Sequence, residues 1–174
     1  MNHNVKRIWN YFTSLLVALV VILALLLVGA RLIGYQVYTV LSGSMEPTYA
    51  TGSLIYVRPT EAKDIIVGMP ITYVLDEKLT VVTHRVIIAD PVNQQFTTKG
   101  DANQTPDGSP VHFKNLIGTP VFTIPYLGYL ANYIQKPPGM YFAIAAGLIL
   151  ILLVFLPDLL GEDTEKPKAE ESNS

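Results

Sequence analysis

The stretch YTVLSGSMEPTYATGSLIYV occupies Tyr38–Val57. Two apolar runs are joined there by a polar centre, Ser42-Gly43-Ser44-Met45-Glu46-Pro47. The runs read as strands, rich in Val, Ile, Thr and Tyr. Taken by itself, the centre reads as a turn: glycine admits unusual φ, serine bonds to nearby backbone, and proline ends pairing. A serine becomes a nucleophile only beside a group that takes its proton. Whether this turn carries chemistry therefore depends on what the rest of the chain supplies.

Upstream lies an apolar segment. Ile8–Ala30 gives 23 positions without Asp, Glu, Lys or Arg. As a helix it would span roughly 35 Å, enough for a hydrocarbon core of about 30 Å. Trp9, Tyr11 and Phe12 open it, where aromatic rings favour the interface, and Lys6 and Arg7 precede it, which predicts a cytoplasmic N-terminus. The alternative is a cleaved signal peptide, with Val28-Gly29-Ala30 as its small-residue cleavage site. The run exceeds the usual apolar region of about 7–15 residues, which favours an uncleaved anchor.

Met140–Leu156 is a second apolar segment, seventeen residues long, following Lys136-Pro137-Pro138-Gly139. It meets the lower end of the spanning range of about 17–25 residues. A buried core helix is the alternative. The tail PDLLGEDTEKPKAEESNS is polar and acidic, a composition that predicts disorder.

Between the two segments, YQVYTVLS, SLIYVRP, ITYVLD, LTVVTHRVII, QQFTTKG and IGTPVFTI are short β-type runs punctuated by Gly, Pro, Asp and Asn. Residues 35–135 are accordingly predicted to be mainly β, a small barrel or sandwich with antiparallel pairing. The 174 residues are half hydrophobic, with a net charge of −2 and no basic stripe to neutralise phosphates, so no nucleic-acid partner is expected. No cysteine is present, which excludes disulfides and thiol nucleophiles. Three histidines without an HExxH spacing make no metal site, and no Gly-rich phosphate loop occurs.

A base for the serine is available inside the β region. His84 lies in TVVTHRVIIA, and a period of two aligns it with Val82, Val86 and Ile88, against Val81, Thr83, Arg85 and Ile87 on the other face. It reads either as a satisfied core histidine or as a base. His112, in GSPVHFKN, reads as a surface loop residue. A Ser/His pair wants an acceptor to fix the imidazole tautomer, and Asp101 and Asp107 are the candidates.

SGSMEPT at 42–48, HRV at 84–86, KGDAN at 99–103, Asp107 and PYLGYL at 125–130 occur in that order after the first apolar segment. Together they resemble the type I signal peptidases. More narrowly, they are similar to the endoplasmic-reticulum-type branch of eukaryotes, archaea and some Gram-positive bacteria; the other bacterial branch has Lys where His84 stands. The resemblance covers roughly residues 35–130. It implies a membrane-bound serine endopeptidase that removes signal peptides, with a β-rich catalytic domain close to the outer leaflet and no cofactor.

Residue by residue, the resemblance makes Ser44 the nucleophile, His84 the general base, Asp107 the third member of the triad and Asp101 a supporting carboxylate. Ser42, with the Ser44 N–H, matches the oxyanion-stabilising position, and Gly43 would let the chain turn to present Ser44. Substrates would be membrane-held preproteins with small residues before the cleaved bond, selected by shallow pockets lined by residues such as Met45, Ile55 and Val82. The implied organisation is a cytoplasmic N-terminus (1–7), an anchor helix (8–30), an extracytoplasmic catalytic domain (35–135), a second transmembrane helix (140–156) and a disordered tail (157–174), in the cell membrane. The same chemistry could serve a narrow client set of matrix or pilin-like proteins. A non-catalytic membrane scaffold would be expected to lose Ser44 or His84, and neither is lost.

Overall fold

The structure, a computed structural model, describes residues 3–159. Most of the tail expected to be disordered lies outside the described residues.

The apolar N-terminal segment forms helix α1, His3–Ala24, which runs on through a π-helical stretch, Leu25–Gly29, into a last turn α2, Ala30–Leu32. Seven strands follow: β1 Gln36–Thr39, β2 Leu54–Pro59, β3 Pro70–Val74, β4 Val81–Asp90, β5 Gln95–Lys99, β6 Val111–His112 and β7 Leu116–Ile124. Helix α3, Leu127–Ile134, and helix α4, Gly139–Leu159, complete the chain. The expected mainly β domain between two apolar helices is thus present.

All strand pairs are antiparallel, in one sheet of order β1-β2-β7-β3-β4-β5-β6. Six of the strands fall on the six runs read from composition. One residue departs from its expected place. His112 lies on the two-residue strand β6 rather than in a loop, though it remains exposed. LGYLANYI, which lies outside the six runs, folds as α3. Gly128 lets that helix lie directly on the turn before β2, because a Cβ there would sit 2.5 Å from the Ser53 carbonyl oxygen.

Two apolar clusters hold the domain. Ile71, Tyr73, Val86 and Phe96 form the first with Ile65 and Val111. Burying each such side chain contributes roughly 1.5–3 kcal/mol. Leu54, Tyr56 and Ala131 form the second, and Leu27 and Ala30 of the N-terminal helical segment pack into it. Tyr56 also donates its hydroxyl to the Leu26 carbonyl at 2.6 Å. The π-helical stretch frees carbonyls from the regular ladder, and the sheet takes one of them. The domain is therefore seated on the end of the first helix.

Only 6% of each apolar span, Asn4–Leu32 and Gly139–Pro157, is buried within the protein. Such helices need an apolar solvent, and this overturns the reading of the second as a core helix. The two pack antiparallel, with Trp9 near the start of α1 donating its indole N–H to the Leu153 carbonyl near the end of α4 at 2.9 Å. That carbonyl would ordinarily bond to the N–H four residues on. Residue 157 is proline and has none.

Candidate active site

Ser44 sits in a single 3₁₀ turn, Gly43–Met45, between β1 and β2. Ser42 enters it in extended backbone, at φ −133° and ψ 160°. The Glu46 carboxylate pins the loop by accepting from the Thr51 hydroxyl at 3.0 Å and from the Thr51 N–H at 3.3 Å. Gly43 has no positive φ. The turn that presents Ser44 therefore needs no left-handed residue there, contrary to the expectation for this glycine. The tight approach lies at Gly100, where a Cβ would come within 2.6 Å of the Ser44 carbonyl oxygen. That same oxygen accepts from Ala102 N–H at 2.9 Å. The loop after β5 is thus laid against the serine turn, and only glycine fits at the contact.

His84 lies on β4 with its side chain 12% exposed. It faces the first core cluster alongside Val86, as the period of two requires. Beyond Val86 a bulge breaks that register, and Ile88, expected on the same face, is 54% exposed. An inserted residue reverses the facing of everything after it. His84 Nε2 lies 3.0 Å from Ser44 Oγ, and its Nδ1 lies 2.6 Å from Asp107 Oδ2. An acceptor at Nδ1 selects the tautomer with hydrogen there and leaves Nε2 free to receive a proton. Ser42 Oγ is 3.3 Å from Ser44 Oγ.

Asp101 does not join this line. Arg85 grips it instead, through Nε to Oδ1 at 2.7 Å and Nη2 to Oδ2 at 2.6 Å. The Thr48 hydroxyl adds a third bond at 2.6 Å, and Arg85 Nη1 reaches the Gly68 carbonyl at 2.7 Å. Paired with the Arg85 guanidinium, the Asp101 carboxyl is held below the usual carboxylate range, while Arg85 is raised. His84 and Arg85 are neighbours on one strand and point to opposite faces. Each holds a different aspartate of the same loop.

A groove of about 810 Å³ opens beside Ser44. Ser42, Met45, Ile55, Val82 and His84 line it with Ser44. Apolar side chains share its walls with hydroxyl and amide groups, such as Thr83 and Gln135, a mixture that suits an extended peptide. Among the described residues, no cluster of His, Cys, Asp or Glu is arranged to hold a metal ion.

The chain is 36% identical over 121 residues to signal peptidase I W of Bacillus subtilis, covering 64% of this chain and 63% of that protein. It is 30% identical over 133 residues to the signal peptidase complex catalytic subunit SEC11 of Colletotrichum graminicola, covering 67% of this chain and 74% of that protein. SEC11 of Candida dubliniensis is 33% identical over 119 residues, covering 61% and 68%. No protein-family model matches the chain. The chain belongs to the type I signal peptidases. These are serine hydrolases of peptide bonds that act on preproteins at a membrane, and the two exposed apolar spans make this signal peptidase a membrane protein too. Sequence reasoning on the signal peptidase missed Tyr73 and Thr98, whose hydroxyls both reach Asp107 Oδ2. Inside β-type runs they read as strand formers. It also left Arg85 without a role, although Arg85 directly follows His84 in the HRV motif.

Proposed function

We propose that this protein cleaves signal peptides from exported preproteins through a Ser44–His84–Asp107 triad. The observation that carries the reading is the unbroken hydrogen-bonded line from Ser44 Oγ through both ring nitrogens of His84 to Asp107 Oδ2. In the first step the Ser44 hydroxyl proton passes to His84 Nε2 as Oγ bonds to the carbonyl carbon. Asp107 stabilises the imidazolium that results. Ser42 Oγ and the Ser44 N–H stabilise the oxyanion, a contribution of roughly 3–4 kcal/mol for one such donor. His84 then gives its proton to the departing amine, leaving an acyl-enzyme on Ser44. Water, deprotonated by His84, hydrolyses that ester and restores the serine. Asp101 serves by tying Arg85 and Thr48 to the loop.

Substrates carry small residues before the cleaved bond, in keeping with a groove lined by Met45, Ile55 and Val82. Enzyme and substrate share one membrane, which raises effective concentration without added affinity. The protein crosses the cell membrane twice. Lys6 and Arg7 keep the N-terminus cytoplasmic, so the β domain is extracytoplasmic. The Trp9–Leu153 contact supports a second crossing that returns to the same side. Full-length protein in detergent should cleave a panel of preproteins after the small-residue motif, and Ser44→Ala should abolish it. Cleavage by Ser44→Ala would refute the assignment, and activity confined to one preprotein of the panel would favour a dedicated client.

A further inference from the structure

Asp107 is set by more than its histidine. Its Oδ2 atom accepts from His84 Nδ1 at 2.6 Å, from the Thr98 hydroxyl at 2.6 Å and from the Tyr73 hydroxyl at 3.3 Å. Tyr73 and Thr98 are themselves 3.3 Å apart. The Tyr73 hydroxyl thus bridges the two atoms.

The sheet explains the convergence. β4 lies between β3 and β5, with Tyr73 opposite Val82 and Thr98 opposite Val86. Val82, His84 and Val86 share a face. Tyr73 and Thr98 therefore stand diagonally on either side of His84, one strand away in each direction. The loop after β5 returns over that face, and the Asp107 N–H bonds to the Thr98 carbonyl at 2.8 Å.

Both residues are fully buried, Tyr73 at 1% exposure within the first apolar cluster and Thr98 at 0%. A buried hydroxyl costs free energy unless it is bonded, and these two bond to each other and to a single carboxylate oxygen. Burial pushes the Tyr73 hydroxyl up to about 12, so it remains a hydrogen donor across the working range.

We infer that Tyr73 and Thr98 are positioning residues, whose hydroxyls hold the Asp107 carboxylate on His84 Nδ1 and so aim His84 Nε2 at Ser44. This rests on the triad proposed above. Carboxylates on flexible loops sample several rotamers; a second and third donor on one oxygen leaves one.

The test is preprotein cleavage by full-length enzyme in detergent, as a mutant cycle. Thr98→Val should lower kcat roughly ten- to a hundredfold, as for a hydrogen bond to a charged group. Tyr73→Phe, with the longer bond, should lower it about three- to tenfold. KM should stay unchanged for both, and Thr98→Ser should recover most of the rate. In an Asp107→Asn background, read by single turnover at high enzyme concentration, Thr98→Val should cost nothing further. The same fold-loss with and without the Asp107 carboxylate would overturn the inference while leaving the triad standing. So would wild-type kcat in Tyr73→Phe, the variant that deletes only an oxygen atom should Thr98→Val fail to fold. A fully active Asp107→Asn would overturn the triad reading and this inference together.

Discussion

Arg85 holds Asp101 through two parallel hydrogen bonds, Nε to Oδ1 at 2.7 Å and Nη2 to Oδ2 at 2.6 Å. The fork-on-fork geometry is the strong form of such a pair, and both side chains are largely shielded, 32% and 15% exposed. Asp101→Asn removes the charge and replaces one of the two acceptor oxygens with an NH2 that faces the donors of Arg85 or Thr48. It should lower stability by about 1–3 kcal/mol, read by thermal unfolding in detergent, and lower activity with it.

Acid should erase that difference. The Arg85 partnership depresses the folded-state pKa of Asp101, so its contribution is full above the unfolded value near 3.9 and is lost as pH falls through the lower folded value. Melting curves of the wild type and Asp101→Asn should therefore stay apart down to about pH 4 and converge at more acid pH. A gap that persisted into strong acid would mean that the charge of Asp101 does not stabilise the fold.

Asp107→Asn should behave in the opposite manner. The amide keeps the shape and loses the charge, so the melting temperature should barely move. The rate should fall steeply, by up to roughly 10⁴-fold, as in serine proteases whose histidine loses its carboxylate. Near wild-type cleavage by Asp107→Asn, beside a folded but inactive Asp101→Asn, would exchange the two roles.

At Gly100 the backbone contact is too close for any side chain. A methyl group there would lie 2.6 Å from the Ser44 carbonyl oxygen and 2.7 Å from Asn103 Nδ2. Gly100→Ala should push the loop off the serine turn and cut kcat at least about tenfold, equivalent to about 1.4 kcal/mol. Gly108, where a Cβ would meet nothing within 4 Å, supplies the control: Gly108→Ala should cleave at the wild-type rate.

Trp9→Phe strands the Leu153 carbonyl that Pro157 already denies an in-helix partner. Hydrogen bonds between membrane helices are worth about 0.6–2 kcal/mol, and a loss of that size is expected in detergent unfolding. Pro157→Ala restores the missing N–H, so the double variant should recover most of it. Additive losses would show that the indole is not serving that carbonyl.

Much of this architecture was legible because it is written in short-range pattern. The six β-type runs mark strands, and the charge-free segments mark the exposed helices. Ser44 and His84 stood in their motifs, Asp107 was one of two candidate acids until the family resemblance chose it, and the fold brings the three together from separate loops and strands. What escaped depends on neighbours distant in sequence. The bulge that turns Ile88 outward leaves no mark in a run of Val and Ile. β6 is too short to show a period. Gly100 looks like any loop glycine until the Ser44 carbonyl arrives against it, and Tyr73 and Thr98 look like ordinary strand residues until the loop folds Asp107 back over them.

The backbone around Ala30 has one further consequence. Ala30 ends Val28-Gly29-Ala30, the small-residue run weighed above as a cleavage site, yet it is helical, at φ −59° and ψ −32°. Its carbonyl oxygen accepts from Tyr35 N–H at 3.0 Å, and its methyl group packs into the second core cluster. A nucleophile needs that carbonyl free and the chain drawn out. In this fold the Ala30 carbonyl is neither free nor drawn out: it closes the end of the helix on which the β domain sits.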